Sequence, residues 1–371
     1  MKILILSDIN SAHTEKWAKG LCEMGISVCL FSFSFPTTDW FVSLKNLEIG
    51  HVSEREKDSN RLFTKLGYLK TWFNLKKCIS DFNPDIIHAH YASSYGLLGK
   101  LSGRRPFVVS VWGADVYDFP SNSKLKKQLL KSILKSADAI CSTSNSMAKE
   151  TNKYTSKLIH TIPFGINSKD FQCTERKPLD ESSEIVIGCI KTLAKKYGTG
   201  YLIHVFNEVK RERSDLKLKL LLVGGGPNLT EYKELVSELN LLDDVEFTGN
   251  VKLIDVPTYH CKIDIFASLS VLDSESFGVS LVEAMASGSH VVATKVSGFK
   301  EVLQDCDLYG LMVDPKSINE AKNAILAILK NPEEAKRRSN AALKVVKENY
   351  EWKNNLAQMY KVYSDLISQP K

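Results

Sequence analysis

The feature that most limits how this chain can fold is a repeated alternation. Short apolar runs are separated by longer amphipathic stretches, and a polar interval breaks the pattern once. Lys2–Ser7, Ser27–Phe31, Asp85–His88, Phe107–Val111, Ala139–Ser142 and Leu158–Pro163 read as strands, with His13–Met24 helical between the first two. The interval 167–184 is rich in charge and carries Pro178, so it reads as a linker. The rhythm then restarts at Ile185–Cys189 and continues through Leu218–Val223, Val245–Phe247, Ile263–Ala267 and His290–Ala293, with mainly helical sequence from about Ser317. Strand and helix in strict alternation imply parallel sheets covered on both faces. The expectation is an α/β chain of two Rossmann-like domains facing across a cleft: residues 1–165, a linker at 166–183 and residues 184–351. A last helix at about 352–371 is free to pack back on the first domain.

The 371 residues, 43% hydrophobic and 25% charged, suffice for two cores. The first apolar run is too short for a signal peptide, and no run approaches a membrane span. The eight cysteines form no C-x-x-C pair and mostly sit in apolar runs, so they are expected as reduced, small hydrophobes of a cytoplasmic protein. Charge is uneven. Residues 1–165 hold 22 Lys and Arg against 14 Asp and Glu, the remainder 27 against 29. A basic first half suits an anionic membrane surface, at the inner face of the cytoplasmic membrane, or simply a solvated exterior. Nucleic acid is not expected, because no binding motif or basic–aromatic repeat is present.

The chemistry concentrates in Glu275-Ser-Phe-Gly-Val-Ser-Leu-Val-Glu283-Ala-Met-Ala-Ser-Gly288. A carboxylate and a glycine turn run into a helix that carries a second carboxylate. Backbone N–H groups of Phe277, Gly278, Val279 and Ser280 would face an anion at the helix start. The two glutamates would accept hydrogen bonds from hydroxyls on either side of it. Phosphate between two polyols describes a nucleotide sugar. One helix start contributes only about 0.3–1 kcal/mol to a nearby anion, or up to ~2 kcal/mol when partly buried, so cations should converge there too.

This segment resembles the glycosyltransferases of family 4, of the GT-B fold. The resemblance extends over most of the chain through Asp85-Ile-Ile-His-Ala-His90, Trp112-Gly-Ala-Asp115, Ile162-Pro-Phe-Gly-Ile166, Val223-Gly-Gly-Gly-Pro227 and Val245-Glu-Phe-Thr-Gly249, in the family's order. It implies retaining transfer of a sugar from a nucleoside-diphosphate donor, with UDP preferred over GDP, to a hydroxyl of a saccharide or lipid-linked saccharide. It implies no metal and no other cofactor. By position Glu283 would hold the ribose, Glu275 the donor sugar and Val251 the neighbourhood of the base, with Gly224 in the turn bordering the nucleotide. The family commonly places an Arg and a Lys five residues apart after the domain's first strand. Those registers hold Thr192 and Tyr197 here, and Lys191 and Lys196 stand one residue earlier with the same separation. They are the expected phosphate cations, with solvent-facing lysines as the alternative.

The first domain is read with more alternatives. The family's Gly-Gly pair after the first strand is absent from Asp8-Ile-Asn-Ser-Ala-His13. His13 is either a cleft residue or a cap. Asp115 is either an acceptor-side base or a turn aspartate. His88 and His90 share a strand face and are read as polar cleft residues rather than a metal pair, and Asp305-Cys-Asp307 as a turn. Stretches 61–82 and 121–134 mix leucines and aromatics with lysines. They read as packed amphipathic helices, or as a contact for anionic lipid. A GT-B-type sugar-nucleotide epimerase and a non-catalytic nucleotide-sugar binder remain as other readings.

Overall fold

The expected apolar runs form strands, and two edge strands join them. The computed structural model describes residues 1–52, 61–121, 123–173, 176, 179 and 183–368. Two compact units emerge, one of Met1–Pro163 with Asn354–Lys371 and one of Phe164–Lys353.

In the first unit the strands are β1 (Lys2–Leu6), β2 (Ser27–Ser32), β3 (Leu47–Val52), β4 (Ile86–His90), β5 (Phe107–Val111), β6 (Ala139–Ser142) and β7 (Ile159–Thr161). They form one sheet in the order β3-β2-β1-β4-β5-β6-β7, with every pairing parallel. The helices are α1 (Ala12–Glu23), α2 (Arg61–Phe82), α3 (Tyr95–Ser102), α4 (Lys124–Ser136) and α5 (Asn145–Thr151). Residues of β4, β5 and β6 are all buried, which is why these strands read as continuous apolar runs rather than alternating ones. β3 escaped the sequence reading because it is an edge strand of half-buried and exposed residues.

In the second unit β8 (Ile185–Ile190), β9 (Leu218–Val223), β10 (Val245–Gly249), β11 (Ile265–Ser268), β12 (His290–Thr294) and β13 (Leu311–Val313) pair in the order β10-β9-β8-β11-β12-β13, again all parallel. The helices are α6 (Thr199–Glu212), α7 (Leu229–Glu238), α8 (Val256–Lys262), α9 (Val279–Ser287), α10 (Ser297–Val302), α11 (Ile318–Lys330) and α12 (Pro332–Asn349). The three-residue edge strand β13 is the other one missed.

The closing helix, α13 (Trp352–Ser368), belongs to the first unit from Asn354 onward. Its Tyr363 is fully buried, and the hydroxyl lies 2.6 Å from His88 Nδ1. His88 Nε2 is 2.8 Å from the Ser110 hydroxyl, and His90 Nδ1 is 3.1 Å from that of Ser7. Both histidines are buried, which corrects their reading as cleft residues; they are interior polar links between strands and the last helix. Burial pushes the His88 pKa down to about 3, because a charged ring would lose its hydration.

Two further expectations need revision. The polar interval is not a bare tether. Phe171 is buried at the end of a 3-10 turn (Ser168–Phe171), and Arg176 is folded inward. The cysteines are not all free. Cys173 and Cys261, 88 residues apart, form a disulfide, while Cys22, Cys29, Cys78, Cys141 and Cys189 are buried thiols. Only the folded chain brings that pair together, so spacing could not announce it.

Candidate active site

In doubly wound sheets the functional loops gather at the carboxyl ends of the strands where the order reverses. In the second unit that point lies between β8 and β11. Lys191 directly follows β8, and the loop after β11 carries Glu275. Their side chains meet there, Nζ to Oε2 at 2.7 Å, with both largely enclosed. The Ser270 hydroxyl donates to the same carboxylate oxygen at 3.1 Å. Lys191 Nζ also lies 5.0 Å from the centre of the Tyr197 ring, and Lys196 Nζ lies 4.8 Å from it on its own approach. The two lysines singled out by spacing therefore share one aromatic ring, and one of them is paired to the motif's first glutamate. An ammonium has three donors, so an ion pair to Glu275 leaves capacity for phosphate oxygens.

The adjoining loops are tied to this one by main-chain bonds. Gly224 has φ +133°, and a Cβ there would sit 2.1 Å from the Lys191 carbonyl oxygen, so only glycine lets β9's turn press on β8's. Gly224 N–H donates to Gly249 O, and Gly225 N–H to the Asn250 side-chain oxygen. Val251, the next residue, is half-exposed on that same loop.

The helix start is built as the sequence implied. Gly278 holds φ +90° against the Phe299 ring, and no side chain caps α9. The first intrahelical bonds run from Leu281 and Val282 N–H to Gly278 O. The Ser280 hydroxyl is buried and finds no hydrogen-bond partner among the described residues. Phe277 is buried edge-on to Tyr350 and Phe164, anchoring the turn. Gly298 matters as well: a Cβ on it would fall 2.3 Å from Glu275 O and 2.6 Å from Phe277 N. On α9 itself, Glu283 Oε2 lies 3.1 Å from Nε2 of the fully buried His260.

Sequence reasoning missed Ser270, His260, Gly298 and Arg176. Ser270 and His260 carry no motif of their own, and Gly298 is marked only by the strand-to-helix turn that contains it. Arg176 was read as linker charge. Its guanidinium instead donates to the carbonyls of Ser287, Ile263 and His260 and to the Ser287 and Ser289 hydroxyls. Burial lowers its pKa, with Asp264 opposing.

In the first unit the acceptor-side base reading of Asp115 fails. The side chain is fully buried, and its carboxylate accepts from the N–H groups of Ala92, Trp112 and Gly113. Burial raises its pKa while those amides oppose the rise. It is the turn aspartate, holding the loop after β5 against the loop after β4. His13, near the start of α1, meets Trp112 edge-on with ring centres 5.6 Å apart, and His90 lies tilted against the same indole at 4.7 Å. Asp305 and Asp307 lie in a turn, where Asp307 accepts from Met312 N–H. Among the described residues, no group of three or more His, Cys, Asp or Glu is disposed to hold a metal.

Comparison with known proteins bears on the family and the fold. Residues 2–144 match the family model described as "Glycosyl transferase 4-like", and residues 171–345 that of "Glycosyl transferases group 1". N-acetyl-alpha-D-glucosaminyl L-malate synthase of Bacillus anthracis is 27% identical over 302 residues, covering 78% of this chain and 77% of the relative. The GDP-mannose-dependent alpha-(1-6)-phosphatidylinositol monomannoside mannosyltransferase of Mycolicibacterium smegmatis is 25% identical over 308 residues, with 78% and 79% covered. Anabaena HepE in complex with UDP and glucose superposes with a TM-score of 0.80 at 20% identity, over 99% of this chain and all of that one. Sucrose-phosphate synthase of Thermosynechococcus elongatus gives 0.79 at 20% identity, over 99% of both.

Two parallel α/β domains, each overlapping a glycosyltransferase family model, define a glycosyltransferase of the GT-B class. The chain belongs to the family 4 type of these enzymes, a group 1 glycosyltransferase with a 4-like amino-terminal domain.

Proposed function

We propose that the protein transfers a hexose, with retention of anomeric configuration, from a UDP-sugar to a hydroxyl of a saccharide or lipid-linked saccharide. The observation that carries this reading is the Lys191–Glu275 pair beside the open start of α9, with Glu283 further along that helix. The diphosphate sits against the N–H groups of residues 277–280, and Lys191 and Lys196 offset the charge that grows as it departs. Gly224 and Val251 border the nucleotide, Glu283 accepts from the ribose, and Glu275 contacts the donor sugar. In the first unit His13, beside Trp112, is the candidate for a catalytic contact. UDP is favoured because HepE has been crystallised with UDP and with UDP-glucose; the mannosyltransferase above, GDP-mannose-dependent by name, makes GDP the competing choice.

A lipid-linked acceptor is supported by the first unit's surface. The outer face of α4 presents Lys124, Lys126, Lys127 and Lys131 around the exposed Leu125, and α2 presents Phe73, Lys76 and Lys77. The side chains of the earlier α2 positions named in the sequence reading, at 61–70, lie outside the described residues. No helix among the described residues is long and apolar enough to cross a membrane, so contact with lipid would be peripheral.

Calorimetry with a set of UDP- and GDP-sugars, alongside Glu283→Ala, tests the donor assignment. Unchanged affinity in the variant refutes the ribose contact. NMR of donor incubated alone, then with acceptors, reads the stereochemistry. An epimerised nucleotide sugar in the first tube would replace transfer by isomerisation.

A further inference from the structure

The glutamate assigned to the ribose is backed by an assembly that sugar transfer does not itself require. Glu283 leans on His260, whose ring has no solvent exposure. His260 Nδ1 has no hydrogen-bond partner among the described residues, so the imidazole is oriented by packing and by its one bond to Glu283. Phe171 meets the ring edge-on and Phe266 lies tilted against it, both at 5.5 Å between centres. The residue after His260 is Cys261, and the residue two after Phe171 is Cys173; these two are the bonded pair, with Cα atoms 5.5 Å apart. Three positions beyond Cys173, Arg176 donates to the His260 carbonyl and to Ser287 at the end of Glu283's own helix. One covalent link thus fastens the segment carrying Phe171 and Arg176 over α8, with His260 enclosed between them. Both sulfur-bearing residues are half-exposed, so an external thiol can reach them.

We propose that Cys173–Cys261 is a thiol–disulfide clip that sets His260, and through it Glu283, so that affinity for the donor's ribose follows the oxidation state of the pair. His260 is then a positioning residue. This rests on the ribose role of Glu283 proposed above. Opening the clip needs a dithiol reductant. One of its thiolates attacks a clip sulfur, the S–S bond breaks and a mixed disulfide forms; its second thiolate then displaces the clip cysteine. The reductant leaves as a disulfide, having given two electrons, and Cys173 and Cys261 each end as thiols with one proton. Unclipped, Phe171 and Arg176 lose their covalent anchor and His260 its enclosure, which weakens its bond to Glu283.

The test compares the oxidised and dithiothreitol-reduced full-length protein by calorimetry. The probes are UDP and GDP, each with its 2′,3′-dideoxy counterpart. Weakening one hydrogen bond to a charged group predicts roughly a threefold to tenfold loss of affinity for the ribonucleotide on reduction, and no change for the dideoxy form, which lacks the hydroxyls. Cys261→Ser should match the reduced protein and ignore dithiothreitol. His260→Phe should match it in both states, whereas His260→Gln, which keeps an N–H donor, should retain part of the discrimination. Equal ribonucleotide affinity in the two states overturns the proposal. So does an equal loss for both sugars, which would mean general loosening, and so does thiol titration that finds no bonded pair without reductant. If Glu283→Ala leaves the preference for the ribonucleotide intact, the ribose assignment itself fails; if it removes that preference while reduction does nothing, only the clip fails.

Discussion

The two sheets place an aspartate and a glutamate in comparable positions, on loops that follow central strands, and use them in opposite ways. Asp115 is sealed in, its oxygens occupied by three main-chain N–H groups. Glu275 stays at the edge of solvent, with one ammonium and one hydroxyl for company. A carboxylate saturated by amides fixes a loop. A carboxylate balanced by a lysine can exchange that partner for substrate. Burial and partner type, more than residue identity, separate structure from chemistry here.

The contrast can be broken most directly at Glu275. Glu275→Gln should lower kcat by roughly 10²–10³-fold, the range for losing one preorganised electrostatic contact. Asp115→Asn should leave turnover per folded molecule intact. Steady-state rates on both variants decide it, and equal losses would erase the distinction. Next, Glu283→Ala should weaken nucleotide binding by about 10- to 100-fold, as expected for hydrogen bonds to a charged group, with a small effect on melting temperature. Asp115→Asn should instead destabilise the fold by about 1–3 kcal/mol, because an amide oxygen cannot satisfy three buried donors; denaturant unfolding measures it.

The remaining prediction depends on pH and belongs to the interior histidine of the first unit. His88 titrates near 3 when folded against 6.5 when free, so the unfolded chain binds its proton first as pH falls. Its stability contribution is fully present above pH 6.5. It declines by about 1.4 kcal/mol per unit down towards pH 3. Unfolding curves between pH 7 and 4 should therefore be shallower in pH for His88→Asn than for the parent, and parallel curves would remove the assignment.

Much of this was legible in the chain. Buried parallel strands are continuous apolar runs, so β1, β2, β4 to β6, β8, β9, β11 and β12 announce themselves, and the half-buried edge strands β7 and β10 were legible too, whereas the six-residue edge strand β3, half-buried and exposed, and the three-residue β13 were not. Lys191 and Glu275 could be named from spacing because each directly follows or flanks a strand or helix start. Their pairing could not, since it depends on which strands are neighbours. His260 and Arg176 were invisible for the same reason: each acts on a residue that only tertiary structure brings close, whereas Ser270 stands five residues before its glutamate and carries no motif of its own. Asp115 was visible but undecided, because sequence carries no measure of how many amides surround a carboxylate.

The last helix gives the chain a particular order of completion. β4 and β5 are synthesised early, but the tyrosine hydroxyl that partners His88 arrives 275 residues after that histidine. Until then the amino-terminal lobe carries an unfilled slot beside a polar imidazole. A fragment ending at residue 163 should consequently be less soluble than the whole polypeptide, and adding the carboxyl-terminal segment as a separate peptide should rescue it.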